Sequence, residues 1–430
     1  MLTADDAQLA AREKELPGLA LLLDEDAFAS VLREHLPAAG VNGAKEFYAR
    51  YKPGRSCVVA YRVQLGGEEL DVYARALRRE SFDRIEDMVR RAPAAGPLGP
   101  GGLLIAAAAV SVYAFPNDRR IPAMRQLDDA DGRSLLLSEV LPDRPQLWEA
   151  RASRLRYWPE RRFVARLRGA DGQAAALKLY AERSYGSAGH NAEAFESRGP
   201  LRLPRCIGRA DDLRALAFEW LPGQKLDGLL VKQGFDESIL ARTGAALAQL
   251  HLQDPAGLAR QDASKRAGFM RARTGWVATV RPELAERVDA VAGKLEQELS
   301  DDHGADRSLH GDFSPTQVLV EGDRVAIIDL DDAVRGDPAE DLGVFISRLE
   351  LRTVRGKLSA ERRETLISAL LDGYESQAGE GTVDRRRVRR HVAAALVRRL
   401  PGAFRRRAPN WIGLMEATLA RAEDISSEPC

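Results

Sequence analysis

The chain is poor in cysteine and lysine and has no apolar stretch long enough to cross a bilayer, and each shortage removes a class of protein. Cys57, Cys206 and Cys430 are the only cysteines in 430 residues. Their odd number, wide spacing and lack of a CxxC pair or neighbouring histidines argue against a disulfide framework or a zinc site. The longest apolar run, Gly102 to Phe115, falls short of the roughly 20 residues a membrane helix needs. Surplus charge is also missing: 64 basic and 64 acidic residues cancel, so no overall field attracts nucleic acid or a membrane surface. The opening MLTADDAQLAAREKEL is polar and acidic, whereas an export leader is basic and then apolar, so a cytoplasmic protein is expected. Only nine of the 64 basic residues are lysine, and a lysine inside an apolar strand therefore stands out.

What is present describes a globular chain, 45% hydrophobic and 30% charged, and long enough for two or three cores. Tyr51 to Arg62 reads YKPGRSCVVAYR and Tyr157 to Arg168 reads YWPERRFVARLR, with five of twelve positions identical. Each is followed by a polar turn and another β-type run, VYARAL at 72–77 and AALKLY at 175–180. The pattern reads as a duplicated antiparallel sheet, the alternative being a chance match of two arginine-rich hairpins. GPLGPGGLL (96–104) and VLPDRPQ (140–146) interrupt the chain between them, and the second is the better boundary. LAFEWLPG (216–223) is a strand stopped by Pro222-Gly223. Beyond it, helical spacing predicts helices over 236–251, 282–300, 359–378, 384–400 and 410–424.

The chemistry concentrates in LHGDFSPTQVL (309–319) and VAIIDLDDAVRGDPAEDLG (325–343). HGD, an amide five positions after the aspartate, an apolar strand ending in Asp, and GDPxxDLG, in that order, resemble the catalytic loop and metal-binding segment of the aminoglycoside phosphotransferase, choline kinase and maltokinase relatives. The resemblance implies an α+β, bilobal protein kinase-like fold with an antiparallel-sheet N-lobe, a mostly helical C-lobe and an additional N-terminal α+β cap. The corresponding parts are 1–140 (cap), 141–222 (N-lobe with hinge) and 223–430 (C-lobe). Phosphoryl transfer needs a carboxylate to orient the attacking hydroxyl and accept its proton, and Mg²⁺ to hold the phosphates. Asp312 is the candidate carboxylate, and Gln317 and Asp329 offer the hard oxygens Mg²⁺ prefers. His310 reads as a support of the catalytic loop or as a satisfied core histidine. Asp337 and Asp341 read as anchors of the loop and caps of the next helix. Asp331 is either a second aid to the metal or a solvated carboxylate.

The metal assignment depends on a hairpin. If Gly322-Asp323-Arg324 is its loop, Gln317 and Asp329 face each other at the open end, whereas a shift of one residue sends them to opposite faces. Most relatives carry Asn where this chain has Gln317. Gln is a feature of the maltokinase pattern HGDxHxGQ, from which this chain departs at Ser314 and Thr316.

On the nucleotide side, Lys178 lies in the third strand of the second β-unit, where kinases place the lysine that contacts the α- and β-phosphates. Its expected acidic partner is on a helix at HNAEAFESRG, with Glu193 first and Glu196 second. FEWLP (218–222) resembles the adenine-binding hinge, with Glu219 and Leu221 as main-chain contacts. The turn over the phosphates, YWPERR, has no glycine, and Arg161 or Arg162 is the alternative phosphate contact, with ATP or GTP as donor. The first β-unit carries Arg75 in place of that lysine, which suits a gating or a purely structural cap. The function implied is transfer of a γ-phosphate to a hydroxyl of a small metabolite, sugars and amino sugars first. A degenerate kinase that binds nucleotide or a partner without turnover is the alternative. The arginine runs at 384–391, 397–400 and 404–411 favour a neutral or anionic acceptor if they line the pocket. Trp411 suits either a sugar face or a core.

Overall fold

Strand-forming alternation before residue 220 and helical periodicity after it divide the secondary structure as the sequence suggests. The computed structural model describes residues 2–428 except 91–94, 97, 101, 262 and 302–303. Cys430 and part of the 96–104 stretch lie outside the described residues. Two units form: one from Met1–Ser184, Gly208–Ala217 and Gly402–Ile412, the other from Tyr185–Ile207, Phe218–Pro401 and Gly413–Cys430.

The first unit opens with α1 (Ala4–Arg12) and α2 (Glu25–His35), capped by Thr3 and Asp24, whose side chains accept from free first-turn amides. β1 (Val41–Lys52), β2 (Ser56–Leu65) and β3 (Glu68–Leu77) follow as an antiparallel meander. β4 (Leu103–Ile105) and β5 (Val110–Ala114) complete the sheet in the order β1-β2-β3-β5-β4. After α3 (Ala130–Val140) comes a second sheet of β6 (Arg151–Trp158), β7 (Arg162–Arg168), β8 (Ala174–Tyr180), β9 (Cys206–Ala210) and β10 (Ala215–Glu219), ordered β9-β10-β8-β7-β6.

The repeated motifs share a register. Tyr51 pairs with Cys57 and Tyr157 with Phe163. Arg75 stands opposite Val58 as Lys178 stands opposite Val164. Gly402–Ile412 returns to this unit and fastens it: the buried Arg407 bonds Asp6 (2.8 Å) and Glu46 (2.6 Å), and the Trp411 indole N–H donates to Asp6 (3.1 Å). Trp411 is 1% exposed and packs edge-on against Phe404. It is a core residue, and the sugar-stacking alternative is discarded because its ring faces apolar neighbours and its polar atom is already bonded.

The second unit takes over within α4 (Glu182–Asn191) and is built on α5 (Ser238–His251), α6 (Ala263–Val280), α7 (Ala285–Asp301), α8 (Pro338–Val354), α9 (Ala360–Ala378), α10 (Arg385–Arg398) and α11 (Trp411–Ser427). Gly244 of α5 and Gly373 of α9 let these two helices cross in contact, since a Cβ at either would strike the other helix's backbone. Among the described residues three short ladders interrupt the helices: β11 (Arg307–Leu309) with β14 (Val334–Gly336), β12 (Val318–Glu321) with β13 (Arg324–Ile327), and Gln224–Lys225 with the other edge of β12. Among the described residues no helix is long and apolar enough to cross a membrane.

Candidate functional site

β11 runs into the HGD loop, and the backbone there is set by one carboxylate. Asp341, in the first turn of α8, accepts from the amides of His310 (2.6 Å) and Gly311 (3.0 Å) and from His251 Nε2 (3.1 Å). It is fully buried. Burial alone pushes its carboxyl up, but the His251 hydrogen bond and charge, with the hydrogen bond from the His310 amide, hold it below the usual range. Gly311 adopts φ +83°, and a Cβ there would collide with the Asp332 carbonyl, so the middle residue of HGD must be glycine.

His310 is fully buried. Its Nε2 donates to the Ile328 carbonyl (3.0 Å), and its Nδ1 accepts weakly from the Asp312 amide (3.4 Å). Both nitrogens face main chain, which suits a prop that joins the loop to the following strand and not a proton carrier. Asp312 points outward: its side chain is 48% exposed, with Arg399 Nη2 at 3.8 Å. Arg399 is itself braced by Ser347 Oγ at 3.2 Å. Arg399 was not singled out from the sequence, although it lies in the 397–400 arginine run, the one signal pointing to it.

The β12–β13 hairpin has a two-residue loop, Gly322-Asp323, with Glu321 opposite Arg324 and Val318 opposite Ile327. Gln317 thus stands opposite Ile328, whose amide donates to its carbonyl (2.9 Å), not opposite Asp329. The three-residue loop expected above is corrected accordingly. Regular alternation would now separate the two side chains. Asp329 instead takes φ +71°, a left-handed turn that aspartate tolerates better than most residues. Its carboxylate swings back to within 3.2 Å of Gln317 Nε2. Asp331 is not on the strand either: it sits in a 3₁₀ turn, Leu330–Asp332, and is buried. Asn191, at the end of α4, laces this turn through Nδ2 to the carbonyls of Ala333 (2.9 Å) and Asp331 (3.3 Å).

Asp337 caps α8 through the Ala339 amide (3.0 Å) and pairs with Arg387 and with His391 (3.0 Å). Burial opposes ionisation, but His391 and Arg387 bring its pKa down to about 2. No group of three or more His, Cys, Asp or Glu side chains able to hold a metal occurs among the described residues. The donor set at the hairpin mouth is one carboxylate and one amide.

In the first unit, Lys178 is 9% exposed on β8 between Leu177 and Leu179. Glu193 requires correction: α4 ends at Asn191, so Glu193 is on an exposed turn beyond the helix. Glu196 is also past the helix and pairs at the surface with Arg198 (2.9 Å). Glu219 closes β10. Its amide donates to the Arg205 carbonyl (2.9 Å) and its carboxylate binds Arg205 Nε (2.9 Å), leaving the Glu219 carbonyl as the group that could face a ligand. Leu221 is buried. In the glycine-free turn, Arg162 lies over the Trp158 ring at 4.7 Å, Arg161 is exposed, and Glu160 is the buried residue, at φ +60°.

Residues 148–391 match the phosphotransferase enzyme family, APH. Among solved structures, a choline kinase from Cryptosporidium parvum Iowa II aligns with 69% of this chain and 95% of its own at 10% identity and TM-score 0.51. A choline/ethanolamine kinase family protein from Mesorhizobium loti aligns over 70% and 95% at 18% identity and TM-score 0.49, and an aminoglycoside phosphotransferase from Streptomyces rimosus over 62% and 97% at 16% identity and TM-score 0.43. No curated protein matches the chain. The fold is protein kinase-like, and the molecule is a phosphotransferase enzyme acting on hydroxyl groups of small molecules. The match extends over more than half of its length, and the chain belongs to the phosphotransferase enzyme family.

Proposed function

We propose that the enzyme transfers the γ-phosphoryl group of ATP to a hydroxyl of a small metabolite, with sugars and amino sugars as the first acceptor class. The observation that carries this reading is the pairing of an outward-facing Asp312 with the converged Gln317 and Asp329, on a loop held by Asp341. Asp312 orients the acceptor hydroxyl and takes its proton as the new P–O bond forms. Mg²⁺ fits the hairpin mouth: the Asp329 carboxylate and Gln317 amide are hard donors few enough to leave positions for phosphate oxygens and water. When bound, the ion supplies neutralisation of charge on the transferring group. Lys178 holds the phosphates, and Glu219 and Leu221 present main-chain groups to the base. Within this reading 1–140 is a cap, 141–222 the nucleotide-binding lobe with its hinge, and 223–430 the lobe with the catalytic loop.

Arg399 beside Asp312 speaks for a neutral or anionic acceptor, because a polycation brought to that carboxylate would meet the guidinium's repulsion. A nucleotide-binding protein without turnover has the glycine-free turn in its favour, and the same experiment separates the two. Wild type and Asp312→Asn are assayed with Mg·ATP and Mg·GTP against a panel of sugars, amino sugars and amino alcohols. Transfer to a panel member by wild type, a fall of about 10²-fold or more in Asp312→Asn, and similar nucleotide affinity in both are expected. Comparable turnover in the variant sinks the role of Asp312, and nucleotide binding without transfer to any acceptor favours the degenerate reading.

A further inference from the structure

A heavily charged cluster of the first unit lies at the turn between β6 and β7. The Glu160 side chain, 3% exposed, bonds Arg50 of β1 (2.8 Å), Arg75 of β3 (2.8 Å) and Arg119 of the segment after β5 (3.2 Å). Its amide is also taken, by the buried Asp118 (2.7 Å), which accepts from the Tyr157 hydroxyl as well (2.8 Å). The turn is thereby fastened to the N-terminal sheet by two carboxylates.

One carboxylate is a poor match for these cations. Oε1 serves both Arg75 and Arg119 while Oε2 serves Arg50, and Arg75 Nε is buried without a hydrogen-bond partner. More positive charge surrounds the three arginines. Burial first, then repulsion from Arg50, Arg55, Arg120 and Arg75, holds the Lys52 ammonium below its ordinary pKa. Arg120 is lowered by burial and, against the pull of Glu160, by Arg119 and Arg75. Arg405 is lowered by burial and by Arg161 and Arg50. Glu160 meanwhile keeps a left-handed backbone, φ +60°, which costs a non-glycine residue of its type about 1 kcal/mol or more unless its surroundings hold it.

We propose that Arg50, Arg75 and Arg119 form a binding site for a phosphate group on a small molecule, with the Glu160 carboxylate as its built-in competitor. A phosphate dianion has an oxygen for each guanidinium and one more for Arg75 Nε, and it brings the second negative charge the cluster lacks. Occupancy expels Glu160 and removes what holds its backbone left-handed, so the β6–β7 turn is released. That the release alters nucleotide affinity rests on the function proposed above together with the sequence reading that puts YWPERR over the phosphates; the site itself does not. The phosphate comes either from the nucleotide or from a separate phosphorylated metabolite.

The test is calorimetric titration of the full chain with inorganic phosphate and with pyrophosphate, on wild type, Glu160→Gln, Arg75→Gln and Arg119→Gln, each checked for folding by thermal melting. Glu160→Gln is expected to bind pyrophosphate about tenfold tighter and each arginine variant about tenfold weaker, the worth of one charge-assisted contact. Repeating the titration with a Mg-bound non-hydrolysable ATP analogue identifies the source: competition assigns the phosphate to the nucleotide, and simultaneous binding to a separate effector. Folded variants that all bind pyrophosphate within about twofold of wild type, as an adventitious ion would, overturn the proposal. Should Glu160→Gln fail to fold, Arg75→Gln and Arg119→Gln decide it. Binding is read without turnover, so failure here leaves the proposed reaction standing, and loss of the reaction leaves this site standing.

Discussion

Replacing Asp341 tests whether one buried carboxylate sets the geometry of the catalytic loop. In Asp341→Ala, the His310 amide and His251 Nε2, both buried, and the half-buried Gly311 amide lose their acceptor. At roughly 1–3 kcal/mol for each of the three stranded donors, the cost is roughly 3–9 kcal/mol, a large part of what holds a domain folded. Asp341→Asn keeps the volume and one acceptor oxygen but turns an N–H toward other donors, and about half that cost is expected. The sign of the pH dependence follows from the lowered pKa of Asp341. A carboxyl more acidic in the folded state contributes in full above its unfolded pKa, and the contribution drains away as pH falls through the folded value. The gap between wild type and Asp341→Asn should thus be equal at pH 7 and pH 5.5 and shrink below about pH 4. Urea unfolding reads stability, and turnover of whatever Asp341→Ala remains folded reads the loop. An alanine variant within about 1 kcal/mol of wild type with normal turnover would refute the reasoning.

Asp329→Ala is predicted to abolish metal-dependent nucleotide binding, because it removes the one charged donor at the hairpin mouth, whereas Gln317→Asn keeps an amide and should be milder; titration of nucleotide with and without Mg²⁺ checks both. Arg407→Ala leaves the buried Asp6 with only Thr3 and Trp411 as side-chain donors among the described residues and takes the cation from the half-buried Glu46, so a loss of about 3 kcal/mol is expected in chemical denaturation of the chain. Asp337→Asn forgoes the difference between a pKa of 3.8 and about 2, worth about 2 kcal/mol at neutral pH. That difference should disappear in melts taken as pH falls from about 4 towards 2.

What could be read from the sequence is what local chemistry decides. The helices at 238–251, 285–301, 360–378, 385–398 and 411–427 sit close to the expected spans, because apolar spacing and first-turn caps such as Ser359 and Asp384 are properties of neighbouring residues. The cap at Asp337 was legible for the same reason, whereas the hold of Asp341 on His310 and Gly311, distant in sequence, was read only through the resemblance carried by GDPxxDLG. The hairpin register was not: one residue more or less in the loop suits Gly322-Asp323-Arg324 equally well, and only the left-handed turn at Asp329 rejoins two side chains that alternation would part. The helix after β8 was misplaced because ERSYGSAGHN, with two glycines, has poor intrinsic propensity. Its last residue is instead held by long-range bonds from Asn191 to carbonyls about 140 positions away.

The two sheets show how a repeat can be given different uses without altering its backbone. Arg75 and Lys178 occupy the same place in their meanders, opposite Val58 and Val164, and so emerge from β3 and β8 in equivalent fashion. A lysine there offers a compact charge on a flexible stem, suited to reaching a phosphate, whereas an arginine offers a planar fork suited to a fixed carboxylate. In the first sheet that fork is occupied by Glu160, which belongs to the first turn of the second sheet, the position where its own counterpart is Gly54 of YKPGRS. The turn at Gly54 needs no partner to hold its left-handed backbone, since glycine adopts φ +60° freely. The turn at Glu160 has the same φ without that freedom, and the arginines of the first sheet supply the restraint. Glu160→Gly separates the two contributions. It should leave the turn's shape intact while removing the ion pairs, so that the thermal stability lost, together with a rise in protease cleavage at 158–162, measures how much the N-terminal sheet contributes to the order of the second. If cleavage and melting are both unchanged, the turn is set by its own backbone, and the arginines serve no structural purpose there.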